Sequence, residues 1–461
     1  MSSRKLHKYR DTLRELVRLS VPMMISQGAF ALMIFTDRYF LSQIDPVQMA
    51  AALGGGVASY FAISLFVGVF GYANALVAQY FGAGELAKCP RVVTQGFIMT
   101  LLSLPALAII TYYAGGIFAA FGHAPVQVQL EKTFFYLIMT GSVFNLGKTC
   151  LASYFSGIGR TRIVMVTDIF STCLNIPLAY VLIFGKLGLP ALGIAGAGIG
   201  TIISNGAALL LYLAFYFQPE HRATFQVAQS FRLDLGIMQR YLKLGLPSGV
   251  ELFLNVAAFN LFLLMFQSYG ITEGAAATIV LNWDILSFVP MLGLNVGIIS
   301  LTGRFVGARN LHKADEVIFS GFLLGLGYSS VLALIFLLLR GPLVDIFTPP
   351  AGDFQAIREL GTFMMVGLAS YAMADATILI TGGVLRGAGD TRWLMLASVT
   401  LHWLMLLAQY FIIRVLHLGP RVSWLGFVIL VLSIALVYYL RLRGNKWRAP
   451  EVLERVMREA A

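Results

Sequence analysis

The chain has 461 residues, of which 58% are hydrophobic and only 12% are charged, and its mean hydropathy is +0.80. Soluble domains carry about 25% charged residues, so a soluble chain of this length would expose too much apolar surface. These values predict an all-α integral membrane protein and exclude a secreted disulfide scaffold, a nucleic-acid-binding domain and a disordered chain. The net charge of +11 does not indicate nucleic acid, because the basic residues lie in loops and tails and form no basic face with interleaved aromatic residues.

Twelve apolar segments follow one another along the chain, separated by breaks rich in glycine, proline and charge. A membrane-spanning helix needs about 20 residues, and barrel strands would instead show alternating segments of about 10 residues. The first segment follows a basic N-terminus, but it is too long for a signal peptide and lacks a clean cleavage site, so we interpret it as a retained helix. The predicted spans are 16–43, 50–80, 92–119, 130–157, 163–184, 190–217, 240–268, 275–301, 315–346, 357–386, 392–416 and 422–443.

The basic residues predict the orientation of these spans. Most of the 33 Lys and Arg residues fall in the even-numbered turns and in both tails, so the positive-inside rule places both termini in the cytoplasm. The longest polar interruption, 218–239, is interpreted as a cytoplasmic linker. It joins an N-lobe, 1–217, with spans 1–6 to a C-lobe, 240–445, with spans 7–12, and 446–461 form a cytoplasmic tail.

The two halves share four landmarks in the same order. The matching segments begin at residues 19 and 244, 50 and 275, and 81 and 306, each at an offset of 225, and at 157 and 387, at an offset of 230. Because each half has an even number of spans, the two copies have the same orientation in the membrane. A parallel repeat of this kind is typical of secondary transporters, in which one half rocks against the other.

Together these motifs resemble the multidrug and toxic compound extrusion (MATE) family. The residues that carry the resemblance are Thr36-Asp37 after Pro22, VAQYFGA at 77–83, NIPLAY at 175–180 with GIAGA at 193–197, and VLRGAGDT at 384–391. The resemblance covers about residues 10–445. It implies twelve transmembrane helices in two pseudo-symmetric six-helix bundles around a central cleft, and it implies export of organic, often cationic, compounds in exchange for H+ or Na+.

Carboxylates at membrane depth are expensive, so each one is a functional candidate. Asp37 lies in the first span, towards its outer side, and matches the acidic residue that the family uses for ion coupling in the N-lobe. The alternative is an ion pair with Arg38 or with Lys148, although adjacent residues of a helix point apart. We predict that Asp37 couples the ion.

The C-lobe contains a second set of candidates. Asp375 lies where NorM-like members of the family place a coupling Asp, although it could instead mark a hydrogen-bonded helix kink. Those members also carry a Glu at the position that Asn255 occupies here. Glu251 lies one turn earlier on the same face, and it either replaces that charge or pairs with Lys243. With Asp284, these residues are expected to line one polar cavity.

The polar candidates of the N-lobe are in the fourth and fifth spans. Asn175 matches an Asn of the family, whereas the DinF-like branch has an Asp one turn later, where this chain has Ala179. Asp168 either contributes to the cavity or caps its helix. Lys148 is expected to pair with Asp168 or Asp37. The predicted polar residues of the substrate cavity are therefore Asn175, Asn255 and Asp168.

The sequence contains no nucleotide-binding or hydrolase motif, so no cofactor is expected and transport must draw on an ion gradient. The coupling ion is H+ or Na+. The candidate Na+ ligands are either Asp37 in the N-lobe or Glu251, Asp284 and Asp375 in the C-lobe. The expected partners are small organic cations and the lipid bilayer, not nucleic acid, and the protein is expected to be a monomer in a bacterial cytoplasmic (inner) membrane.

Three other functions fit the sequence less well. A lipid-linked oligosaccharide flippase of the same superfamily is expected to have a more cationic cavity than these acidic residues indicate. A polytopic membrane enzyme would need a catalytic His or Asp motif at a membrane face, which the sequence does not show. A channel is disfavoured because the repeat predicts two rocking halves and not a continuous pore.

Overall fold

The computed structural model describes residues 3–116, 118, 124–348 and 354–457, and these residues are almost entirely helical with no β-strand among them. The predicted all-α fold is therefore confirmed. The helices are, in chain order, α1 (Ser3–Ser42), α2 (Pro46–Gly71), α3 (Ala73–Gly82), α4 (Cys89–Ala114), α5 (Pro125–Thr140), α6 (Ser142–Gly157), α7 (Thr161–Phe184), α8 (Ile194–Tyr216), α9 (Pro219–Phe225), α10 (Leu235–Gln267), α11 (Ile271–Gly307), α12 (Leu311–Leu338), α13 (Arg340–Asp345), α14 (Gln355–Ala388), α15 (Thr391–Tyr410), α16 (Pro420–Arg443) and α17 (Pro450–Met457).

Two of the predicted spans are interrupted in the described chain: the second is divided at Tyr72 into α2 and α3, and the fourth is divided at Gly141. Eleven helical segments of the described chain are long and apolar enough to cross a membrane. The segment predicted as a single fourth helix is instead α5 and α6, which have 16 residues each and are separated by Gly141. A Cβ atom on Gly141 would lie 2.6 Å from Cγ1 of Ile202. The missing side chain therefore lets the break lie directly against α8.

The helix boundaries repeat at the offsets found in the sequence. Helices α2 and α11 begin at Pro46 and Ile271, an offset of 225, and α5 and α14 begin at Pro125 and Gln355, an offset of 230. The second copy of the broken span is the continuous helix α14. The repeat therefore extends from the sequence to the architecture. The local differences are that α5 and α6, and likewise α2 and α3, are separate helices, whereas their counterparts α14 and α11 are continuous.

Residues Ile25–Val250 form one compact unit. Within it, α5 and α6 together lie at the centre and pack against α2, α3, α4 and α8, while α7 packs against α8. Small buried residues, including Ala179 on α7 and Ala197 on α8, let neighbouring helices approach closely. This close approach positions the inner faces of α1, α7 and α8, on which the polar candidates lie.

The chain up to Met24 and Glu251–Met457 form the other compact unit. Helix α14 lies at its centre and packs against α11, α12 and α16. The first part of α1 belongs to this unit and packs closely against α11, because α11 has a glycine, Gly293, at the point of contact. A Cβ atom on Gly293 would lie 2.4 Å from the amide nitrogen of Met24.

The same close contact occurs in the unit formed by Ile25–Val250, to which the first part of α10 belongs. A Cβ atom on Gly68 would lie 2.6 Å from Cα of Gly249. Gly68 and Gly293 are 225 residues apart, and so are Met24 and Gly249. The repeat thus explains why glycine is needed at both positions, since each allows a helix of the opposite half of the sequence to pack without a gap.

Candidate functional site

Asp37 lies on α1 and is 9% exposed. The hydroxyl group of Thr201 on α8 donates a hydrogen bond to Oδ2 of Asp37 at 3.3 Å, whereas Oδ1 is buried and has no hydrogen-bond partner in the part of the chain that the structure describes. The alternative ion pair with Lys148 is not formed, because Lys148 pairs with Asp168. A charged carboxylate at Asp37 would therefore lack a neutralising side chain, which makes this position suited to a bound cation.

The register between α1 and α7 determines which residues lie at the level of Asp37. Thr172 donates a hydrogen bond to the carbonyl oxygen of Ala29 at 3.1 Å, and the rings of Phe40 and Phe184 lie 5.9 Å apart. The two helices are therefore parallel, with a sequence offset of 143 to 144 residues. In this register Asp37 lies opposite residues 180–181 of α7, between these two contacts.

Asn175 lies on α7, one to two turns before the level of Asp37. Its side chain is completely buried, and neither Oδ1 nor Nδ2 has a hydrogen-bond partner among the residues described. One turn later Ala179 packs against α8, where a Cβ atom on Gly200 would lie 3.4 Å from the amide nitrogen of Ala179. An unpartnered buried amide is costly, so Asn175 is suited to a ligand that offers both a donor and an acceptor, or to a bound cation at Oδ1.

Asp168 does not cap α7, because it lies seven residues inside the helix and the preceding Arg160 makes no side-chain cap. Instead Nζ of Lys148 on α6 lies 3.3 Å from Oδ1 of Asp168, and the hydroxyl group of Ser26 on α1 donates a hydrogen bond to Oδ2. The predicted pairing of Lys148 with Asp168 is thus the arrangement that the structure has. Asp168 is thus neutralised by Lys148, whereas Asp37 forms no ion pair with the residues that the structure describes.

Glu251 is 3% exposed and lies on α10. Its partner is not Lys243, which was one of the sequence-based alternatives. Nη2 of Arg386 on α14 donates a hydrogen bond to Oε1 of Glu251 at 2.7 Å, and the hydroxyl group of Tyr438 on α16 donates to the same oxygen at 3.4 Å. A guanidinium group is the better partner for a buried carboxylate because its planar donors are always charged.

Asn255 lies one turn after Glu251 and belongs to the same polar cluster. Its Nδ2 donates a hydrogen bond to Oγ of Ser398 at 2.7 Å, whereas Oδ1 has no partner in the described part of the chain. Nδ1 of His402 lies 2.8 Å from the carbonyl oxygen of Ser398. Because a carbonyl only accepts, Nδ1 of His402 carries the hydrogen.

Asp284 lies on α11 and Asp375 lies on α14, two helices that pack directly against each other, and both carboxylates lie near Tyr371. Glu251 has separate partners. Among the described residues, no group of three or more His, Cys, Asp or Glu side chains has the arrangement of a metal site. The three carboxylates do not form one Na+ ligand set, because Arg386 already neutralises Glu251.

Two important residues were missed at the sequence level. Arg386 lies at the end of the predicted span 357–386 and was not named as the partner of a carboxylate, and Thr201 carries no charge. A carboxylate on α10 and an arginine on α14 are 135 residues apart, so only the fold shows that they meet. The signal that was available is that no charged residue separates Arg386 from the preceding stretch 376–385.

A repeated architecture of long apolar helices and carboxylates at membrane depth are typical of integral membrane transporters. The MatE family model matches residues 22–181 and 247–411, and the two matches begin 225 residues apart, at Pro22 and Pro247. The chain therefore belongs to the MatE family.

Curated relatives agree with this assignment, and a solved structure has a similar fold. The chain is 25% identical over 461 residues to the "Probable multidrug resistance protein NorM" of Mannheimia succiniciproducens, covering 97% of each chain. It is 27% identical over 468 residues to the "Multidrug resistance protein MdtK" of Edwardsiella ictaluri, covering 98% of this chain and 100% of the relative. The fold is similar to that of a MOP superfamily transporter from Pyrococcus furiosus, with a TM-score of 0.85, 20% identity and 97% of each chain covered.

Proposed function

We propose that this protein is a secondary active antiporter that exports hydrophobic or cationic small molecules in exchange for H+ or Na+ by alternating access. Membership of the MatE family and relatives named as multidrug resistance proteins support export of small molecules. We further propose that the protein resides in a bacterial cytoplasmic membrane with both termini on the cytoplasmic side, as the distribution of Lys and Arg favours.

The observation that carries the proposal is the state of Asp37. It is buried, accepts one hydrogen bond from Thr201, and keeps Oδ1 without a partner among the described residues. A carboxylate in this position gains free energy when H+ or Na+ binds, because the cation removes an isolated charge from an apolar environment. Binding of the ion shifts the protein between two conformations only if its affinity differs between them.

The C-terminal half offers a second group, Asp284 with Asp375. Two carboxylates that interact cannot both be ionised without a cost, so the pair is suited to holding one shared cation. Glu251 is less suited to exchange an ion, because Arg386 stays charged and remains its partner. We therefore assign coupling to Asp37 and to the pair of Asp residues, and we assign a structural role to Glu251.

Transport into everted membrane vesicles tests this proposal. Ethidium uptake is followed by fluorescence while a pH gradient or a Na+ gradient is imposed in turn. Asp37→Asn is expected to abolish gradient-driven uptake at an unchanged level of protein in the membrane. The matched control is Glu220→Gln, which removes an exposed carboxylate of α9 and is expected to leave uptake unchanged. Full uptake by Asp37→Asn would remove Asp37 from the mechanism, and absence of uptake by the unaltered protein under either gradient would refute antiport of ethidium.

A further inference from the structure

One buried ion pair, Lys148 with Asp168, is not used by the proposed coupling scheme. Nζ of Lys148 lies 3.3 Å from Oδ1 of Asp168 and 3.4 Å from Oδ1 of Asn205 on α8, to which it donates a hydrogen bond. The same ammonium group lies 5.9 Å from the centre of the Phe30 ring on α1. The hydroxyl group of Ser26 donates a hydrogen bond to Asp168 from the same helix.

The groups around Nζ of Lys148 form a complete binding site for an ammonium ion. A carboxylate supplies the opposite charge, an amide oxygen accepts a hydrogen bond, and an aromatic ring offers its electron-rich face. Three helices, α1, α7 and α8, contribute these groups, and Lys148 enters from α6, all within the compact unit of Ile25–Val250. The side chains of Lys148 and Asp168 each remain 14% exposed, so the site is not sealed.

We propose that this site binds the ammonium or other cationic group of an organic compound, and that Lys148 is a tethered cation which occupies the site when no such compound is bound. The inference rests on the proposed function, since it gives one step of substrate recognition. Lysine suits this role because its charge lies at the end of a flexible four-carbon stem and is not locked in a two-pronged pair, as arginine would be.

The consequence is that Lys148 weakens the binding of every organic cation by competing for Asp168. A compound must displace the ammonium group before its own charge meets the carboxylate. An uncharged compound has no such competition, because it does not need Asp168. Lys148 therefore determines specificity through charge.

Equilibrium binding to the purified full-length protein tests this inference without any ion gradient. The affinities of ethidium and of the uncharged dye N-phenyl-1-naphthylamine are measured by fluorescence for the unaltered protein, Lys148→Met and Asp168→Asn. Lys148→Met is expected to bind ethidium at least tenfold more tightly, because Asp168 is then left without a cation. Asp168→Asn, alone or combined with Lys148→Met, is expected to bind ethidium at least tenfold more weakly than Lys148→Met. The affinity of the uncharged dye is expected to stay the same in all variants.

Two further variants keep the test decisive. Lys148→Arg retains the charge and is expected to bind ethidium no more tightly than the unaltered protein does, and Lys148→Gln replaces Lys148→Met should the latter not fold. If Lys148 had only a structural role, Lys148→Met and Lys148→Gln would have a lower melting temperature but no selective increase in affinity for ethidium over the uncharged dye. Unchanged ethidium affinity in a folded Lys148→Met or Lys148→Gln protein would overturn the inference. Displacement of ethidium from either variant by millimolar NaCl would also overturn it, because that result would indicate a site for an inorganic cation. Failure of ethidium transport by the unaltered protein would bear on the proposed function and not on this binding comparison.

Discussion

The ion pair between Glu251 and Arg386 provides the strongest prediction about stability. Nη2 of Arg386 and Oε1 of Glu251 lie 2.7 Å apart, and Glu251 is 3% exposed. At an effective dielectric constant near 20, Coulomb attraction at this distance is about 6 kcal/mol. Desolvation of both groups offsets much of this gain, but removing one partner leaves a buried charge and destabilises a protein by about 3–5 kcal/mol. We therefore expect Arg386→Gln to lower the free energy of unfolding by about 3–5 kcal/mol.

The measurement is unfolding of the detergent-solubilised protein in increasing dodecyl sulfate, followed by tryptophan fluorescence. The double variant Glu251→Gln with Arg386→Gln is expected to lose less stability than Arg386→Gln alone, because no unpaired charge then remains. The control is Arg421→Gln. Its partner Glu359 is 69% exposed, although the two side chains lie only 2.6 Å apart, so the loss is expected to be about 0–1 kcal/mol. Equal losses for Arg386→Gln and Arg421→Gln would refute this reasoning.

Two other predictions concern packing and pH. Gly68→Ala is expected to lower the free energy of unfolding by about 1–3 kcal/mol, because the new Cβ would lie 2.6 Å from Cα of Gly249. The control is Gly71→Ala, whose Cβ would meet nothing within 4 Å, so a smaller loss is expected in the same assay. Burial and the nearby Arg160 guanidinium lower the pKa of His221 from 6.5 to about 4. Since unfolding lets His221 bind a proton between these values, stability is expected to fall as the pH drops from 6.5 to 4. His221→Gln is expected to show a smaller fall in melting temperature over that range, and an identical fall would contradict this account.

The sequence was sufficient to predict the architecture because membrane physics leaves few choices. Apolar segments of about 20 residues must be helical, and the offset of 225 residues between matching segments predicted the repeat that the helix boundaries also show. The break at Gly141 could not be predicted. It depends on the approach of Ile202 from another helix, and a glycine in an apolar segment is equally compatible with a continuous helix.

The site was predicted less completely, because partners that are distant in the sequence decide the role of each carboxylate. The sequence favoured Asp37 as the ion-coupling residue and left the roles of Asp168 and Glu251 open. The fold distinguishes them by giving Lys148 to Asp168 and Arg386 to Glu251. The pairing of Lys148 was one of the sequence-based alternatives, whereas that of Arg386 with Glu251 was not.

The most direct test of the central claim is ion movement driven by the substrate alone. Purified protein is reconstituted into liposomes without an ion gradient, ethidium is added to one side, and internal pH and internal Na+ are followed with fluorescent indicators. The account predicts that the unaltered protein moves H+ or Na+ in the direction opposite to ethidium. It also predicts that Asp37→Asn moves neither ion while still binding ethidium. Counter-movement of ions by Asp37→Asn at the rate of the unaltered protein would contradict the claim that this carboxylate carries the coupling ion.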